Sequence, residues 1–282
     1  AISNIEFRKK AKMGLKEVEA IKEEIRDIIE RYLEIEDVWG CVPSFANPVK
    51  EMLVASEDDV YEVVKKLKDA WNIGEDGILS VTDLLESKNI KVVEIKADLS
   101  FDGLSGYVNN DENMPFVVVN KSFDVERLRF TGLHEIGHLV MNLPEEMEKK
   151  DKERLCNLFA SEMLISRDTF VDVLGERRSD ISLQELKVLQ AVYGISVDAL
   201  MFKAKTVGVI SESKYTSFCI RKNKSLAFKD AVERSSYRGV EESSRFDRLV
   251  YRALASDMIS CSKAAVLLNE PMEEVKNKLE LV

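Results

Sequence analysis

The five residues His134-Glu135-Ile136-Gly137-His138 constrain this chain more than any other stretch, and they contain both of its two histidines. On a helix, residues i and i+4 stand one above the other. His134 and His138 then bring two imidazole nitrogens to one point, as a tetrahedral divalent ion such as zinc requires. Glu135, beside the first imidazole, is placed to take a proton from water held at such an ion. This reading demands a helix through 134–138, and the flanks supply one. Ser122 or Asp124 can cap a helix that runs to about Met141 and stops at Pro144. Leu128, Leu133, Ile136, Leu139 and Val140 form its expected buried side, while Thr131, His134, Glu135 and His138 share another face. Gly132 and Gly137 each cost a helix about 1 kcal/mol relative to Ala, so they imply close approach by a neighbouring element.

A third ligand is expected on the next helix, over residues 152–165. There Glu153, Cys156, Asn157 and Ala160 fall on one face by their spacing. Glu162 lies half a turn away from that face, and Glu145 and Glu146 follow the Pro144 break. Glu153 is therefore the expected carboxylate ligand. Asn157 either orients a ligand or is an ordinary buried asparagine; Cys156 reads as a small packing residue.

At 282 residues, two units are the default. A net charge of −10 makes the chain as a whole a poor polyanion binder. Residues 203–252 depart from this, with twelve Lys/Arg against six Asp/Glu, a pattern most often seen on a solvated face. Cysteines 41, 156, 219 and 261 form no C-x-x-C pair and fit reduced thiols in the cytoplasm. No apolar run approaches 18 residues and the first ten lack a signal-peptide core, so no membrane partner is expected.

Residues 4–32 read as a charged amphipathic helix, followed by a linker over 40–48 rich in Gly and Pro. A helix capped by Asp58 or Asp59 ends at 72–74, and another spans 80–87. Strands are expected at 91–95, 105–108 and 116–120, the last two as a hairpin. Helices follow at 183–193, 197–207, 211–215, 243–255, 262–268 and 272–281. Gly194 and Ser196 give the first pair a helix-turn-helix outline, which any helical hairpin with a Gly corner shares. The expected organisation is 1–48 as helix and linker, 57–180 as the unit with the paired histidines, and 181–282 as a helical domain. The fold class is α+β: a small twisted sheet with the two site helices, then an all-α C-terminal region.

The chain resembles the ImmA/IrrE family of bacterial and phage metallo-endopeptidases. Carrying the match are Phe130-Thr131-x-x-His134-Glu135-x-x-His138 and Glu153-x-x-Cys156-Asn157-x-Phe159-Ala160-x-x-Met163-Leu164. The family usually has Ala at the position of Cys156, Leu at Met163 and Pro near Arg167, none of which is a ligand. Tyr193-Gly194-Ile195-Ser196 and the stretch from Lys203 to Ser211 are also similar to the longer members, so the likeness extends from about residue 60 onward. It implies zinc, with manganese as the alternative ion, on His134, His138 and Glu153, and Glu135 as general base for a metal-activated water. It further implies cleavage of a cytoplasmic partner, a helix-turn-helix repressor or other regulatory protein, in stress or mobile-element control. A DNA-binding domain ahead of residue 1 is the only implied route to DNA. On this reading Tyr107 is a candidate for stabilising the oxyanion, and the strand ending at Asn120 is expected to offer an edge to substrate. The alternative is a transcription regulator or toxin–antitoxin component whose metal site is structural or sensory.

Overall fold

Residues 115–120 carry an apolar run, PFVVVN, in which every side chain is buried. A strand covered on both faces loses the alternation of a half-exposed one, and this strand lies in the middle of a sheet. The computed structural model describes residues 15–40, 44–111 and 113–279. Among them, β1 (Lys91–Ile95), β2 (Gly103–Tyr107) and β3 (Pro115–Asn120) form one sheet in the order β1-β3-β2. The β2–β3 pair is antiparallel, with Ser105 opposite Val117, and is the expected hairpin. The β1–β3 pair is parallel, with Val93 opposite Val118. The expectation that the strand ending at Asn120 offers an edge is therefore corrected: both its sides are taken, and the edges are β1 and β2.

The described residues fall into two units, one drawn from 1–46, 82–122 and 242–282, the other from 47–81 and 123–241. In the first, α1 (Leu15–Val38) lays Ile21, Ile25 and Ile29 against Val93, Leu104, Phe116 and Val118 of the sheet. Farther along α1, Ile35 enters a second core with α11 (Arg245–Ala255), α12 (Cys261–Leu268) and α13 (Met272–Lys278). Residues 4–14 of the expected first helix and 41–43 of the expected linker lie outside the described residues. A buried ion cluster ties α1 to β1 and α11. Glu36 meets Lys91 at 3.0 Å and Arg245 at 2.8 Å, and Arg245 also donates to the Tyr32 hydroxyl at 2.8 Å. Burial raises the Tyr32 hydroxyl above its ordinary range and lowers the Lys91 amine, the latter against the pull of Glu36.

The second unit contains α2 (Glu57–Trp71), α4 (Val125–Val140), α5 (Lys149–Leu164), α6 (Arg167–Leu174), α7 (Leu183–Tyr193), α8 (Val197–Thr206), α9 (Glu212–Lys224) and α10 (Leu226–Glu233). The short α3 (Val81–Ser87) begins at the boundary between the two units. Helix α2 is capped by Ser56, not by Asp58 or Asp59. Asp59 instead accepts the Ser56 backbone N–H at 2.8 Å, closing a capping box. The α7–α8 corner matches expectation, with Gly194 left-handed at φ 59° and Ser196 capping α8.

Candidate metal centre

Helix α4 is buried almost all round rather than along one stripe. Leu128 and Leu139, expected inside, are only half-buried, whereas Arg129 is 0% exposed. The guanidinium of Arg129 is satisfied by carbonyls from two loops and by an ion pair. It donates to the carbonyls of Ile78 (2.6 Å), Tyr193 (3.2 Å) and Gly194 (3.2 Å), to Tyr237 Oη (2.8 Å) and to Glu241 (2.5 Å). Beyond the far end of α4, Asn47 donates to Val140 O at 2.9 Å and the Val54 N–H donates to Asn142 O at 2.9 Å. The helix carrying both histidines is thus anchored on either side of them.

Gly137, between the two histidines, lets α5 come close. A Cβ there would stand 3.2 Å from the Phe159 ring and 3.4 Å from Cys156 Cα, tighter than ordinary van der Waals contact. The close approach predicted from this glycine is real, and the neighbour is α5. Across that contact, Glu153 places its carboxylate 3.2 Å from His134 Nε2 and 3.5 Å from His138 Nε2. The two imidazoles, His134 foremost, hold the Glu153 carboxyl well below the usual carboxylate range.

The three side chains bring their ligand atoms within 4.8 Å of one another. Donors 2.0–2.1 Å from a tetrahedral ion stand roughly 3.3 Å apart, which the two carboxylate–imidazole separations match. Two imidazoles and one carboxylate also leave a fourth position for solvent or substrate, as a catalytic centre does. The donor set fits a divalent ion such as zinc.

Both Nδ1 atoms face α5. His134 Nδ1 is 2.9 Å from Asn157 Oδ1, so of the two readings of Asn157 the geometry is that of a residue orienting a ligand. His138 Nδ1 is 3.3 Å from Cys156 Sγ, a contact the sequence reading of Cys156 as packing did not foresee. The signal was available, since Cys156 shares the Glu153 face. Glu135 is buried on α4 and Thr131 is buried one turn before His134. Glu162 points elsewhere as expected, into a buried ion pair with Lys203, whose amine burial lowers. Glu145 and Glu146 are exposed.

Two candidates belong to the other unit. Tyr107 ends β2, half-buried, in the unit that holds the sheet. Asn120 is fully buried in the same unit, and its amide is committed to the β1–β2 connection. Its Oδ1 accepts from the Ala97 and Ser122 N–H groups, and its Nδ2 donates to the carbonyls of Ala97, Asp98 and Phe101. The expected substrate contact at Asn120 gives way to a structural one.

Residues 85–205 match the family model of the IrrE N-terminal-like domain, Peptidase M78. That segment is similar to the M78 peptidase domain. It opens within α3, takes in the whole sheet and α4–α7, and closes one residue before the end of α8. All three ligand candidates, Glu135, Asn157 and Cys156 fall inside the M78 segment, as do Tyr107, Asn120 and Thr131. No curated protein matches the chain. The domain is of metallopeptidase type. Among the described residues no helix is long and apolar enough to cross a membrane.

Proposed function

We propose that this chain is a metal-dependent endopeptidase of the cytoplasm. Zinc is the favoured ion and manganese the alternative, and a partner regulatory protein, a helix-turn-helix repressor by class, is the substrate. The observation that supports it most is the convergence of His134, His138 and Glu153 inside the segment that matches the M78 model. A divalent ion on those three donors supplies a Lewis acid and an acidified water. The protein's own residues do the rest. Glu135, held in a buried helix, takes the proton of the attacking water and returns it to the amine of the broken peptide bond. Asn157 keeps the His134 ring in one orientation. Arg129 and the close α4–α5 contact at Gly137 fix the helix that carries the base.

The helix-turn-helix outline of α7 and α8 serves this same framework, because the Tyr193 and Gly194 carbonyls at its corner accept from Arg129. The test is incubation of the zinc-loaded protein with candidate helix-turn-helix repressors. Wild type is expected to give a discrete cut, and Glu135→Gln to bind zinc equally well yet lose cleavage by at least about a hundredfold. Cleavage by Glu135→Gln at the wild-type rate would remove Glu135 from the role of base.

A further inference from the structure

An imidazole that binds an ion through Nε2 carries its proton on Nδ1, and the partner of that N–H decides how firmly the ring is held. In a buried site such a donor needs an acceptor. His134 has an amide oxygen for this purpose, Asn157 Oδ1 at 2.9 Å. For His138 the atom in the same position is Cys156 Sγ, at 3.3 Å. Cys156 is fully buried in α5, next in sequence to Asn157 and three residues after Glu153. It lies behind the His138 ring, on the side away from the Nε2 that faces Glu153, so it is not arranged as a fourth ligand.

We infer that Cys156 is the positioning residue for His138, accepting the Nδ1 proton on Sγ as Asn157 accepts that of His134 on Oδ1. The inference rests on the metal-centre reading above and goes beyond it by dividing the work of α5. One turn of that helix gives a carboxylate ligand and then two consecutive orienting residues, one per histidine. The contact needs α4 and α5 to be close, and at Gly137 a Cβ would stand 3.4 Å from Cys156 Cα and 3.2 Å from the Phe159 ring. Sulfur is a weaker acceptor than an amide oxygen. His138 is accordingly the more loosely held imidazole and the one through which ion affinity is set.

The sequence makes the test clean. With two histidines in the chain, an imidazole ¹⁵N spectrum of the zinc-loaded protein contains two rings, and His134 is an internal control for His138. Cys156→Ala is expected to shift the Nδ1–H signal of His138 while leaving that of His134 in place. In a chelator competition with zinc alone it should weaken affinity by about tenfold, the low end for an orienting residue. The metal-free melting temperature should change little. Cys156→Ser, which restores an acceptor, should recover most of the affinity. If Cys156→Ala folds poorly, Cys156→Ser alone carries the test, because exchanging sulfur for oxygen must move the His138 signal and not that of His134. Wild-type affinity and unchanged His138 shifts in both variants would overturn the assignment, as would equal disturbance of both rings. Failure of the wild-type protein to bind zinc would overturn the metal-centre reading along with it, whereas zinc binding with unresponsive variants overturns this inference alone.

Discussion

Arg129 precedes His134 by five residues, and its guanidinium is shut away from water while bonded to Glu241, Tyr237 and the carbonyls of Ile78, Tyr193 and Gly194. Removing it takes the countercharge from the buried Glu241 carboxylate, which keeps the donors Ser80 Oγ and Val81 N–H, and a donor from each of those carbonyls. Breaking a buried pair from one side costs roughly 3–5 kcal/mol. Arg129→Ala should therefore lower the urea midpoint by that equivalent at unchanged slope. Arg129→Lys should rescue little, since an ammonium cannot reproduce a planar fork of five donors. A stability within about 0.5 kcal/mol of wild type, the range of ordinary surface changes, would show that this network does not anchor α4. Arg129 also marks where sequence reading failed at the scale of single residues. Periodicity counts apolar side chains, so it placed Leu128 and Leu139 inside and gave no place to an arginine whose partners lie about 50, 65 and 110 residues away in sequence. His134, His138 and Glu153 were legible because i, i+4 and i, i+3 arithmetic is local. Cys156 is buried as its packing reading expected, and only its contact with His138 was beyond local spacing.

At the level of elements, the α4–α5 pair sets the spacing of the centre. Gly137→Ala gains up to about 1 kcal/mol of helix propensity, yet puts a methyl 3.2 Å from the Phe159 ring and 3.4 Å from Cys156 Cα. Overpacking of this kind costs roughly 1–3 kcal/mol, relieved by a shift of the Phe159 ring or of α5 away from α4. Net destabilisation is expected in a thermal melt, together with weaker zinc binding in a chelator titration, whereas Ala at an exposed helical position does neither. Zinc affinity at the wild-type level would mean that the ligands tolerate the separation. Strand β3 shows both what a short apolar run reveals and what it hides. PFVVVN announced a strand, and the turn residues 109–113 announced its hairpin with β2. Nothing local signalled the parallel partner β1, because such pairing is closed by a crossover and not by a turn. Helices α6 and α10 escaped for a different reason. Each has eight residues, and only Phe170 and Leu174, or Val232, are buried in them, too few to show a period.

On the scale of the whole molecule, the unit with the sheet is held together by charges brought from three separated stretches: Glu36 from α1, Lys91 from β1 and Arg245 from α11. Glu36→Ala leaves a buried ammonium and a partly buried guanidinium facing each other, and should cost roughly 3–5 kcal/mol. Hydrogen exchange checks this more sharply than a melt, since amides of β1, β2 and β3 should lose protection while those around His134 and Glu153 keep theirs. Uniform loss across both units would show that they unfold as one. The chain length suggested two units, but an expectation of boundaries drawn in sequence order has no way to represent a unit assembled from three pieces with other segments between them. The same threading sets an order of events during synthesis. Glu153, the last of the three ligand candidates, is made about 90 residues before Arg245. Chains grow by about 5–20 residues per second, so for several seconds α4 and α5 can pair while Lys91 and Glu36 still await Arg245. The three donors can therefore come together before the chain is able to bury its own ion cluster.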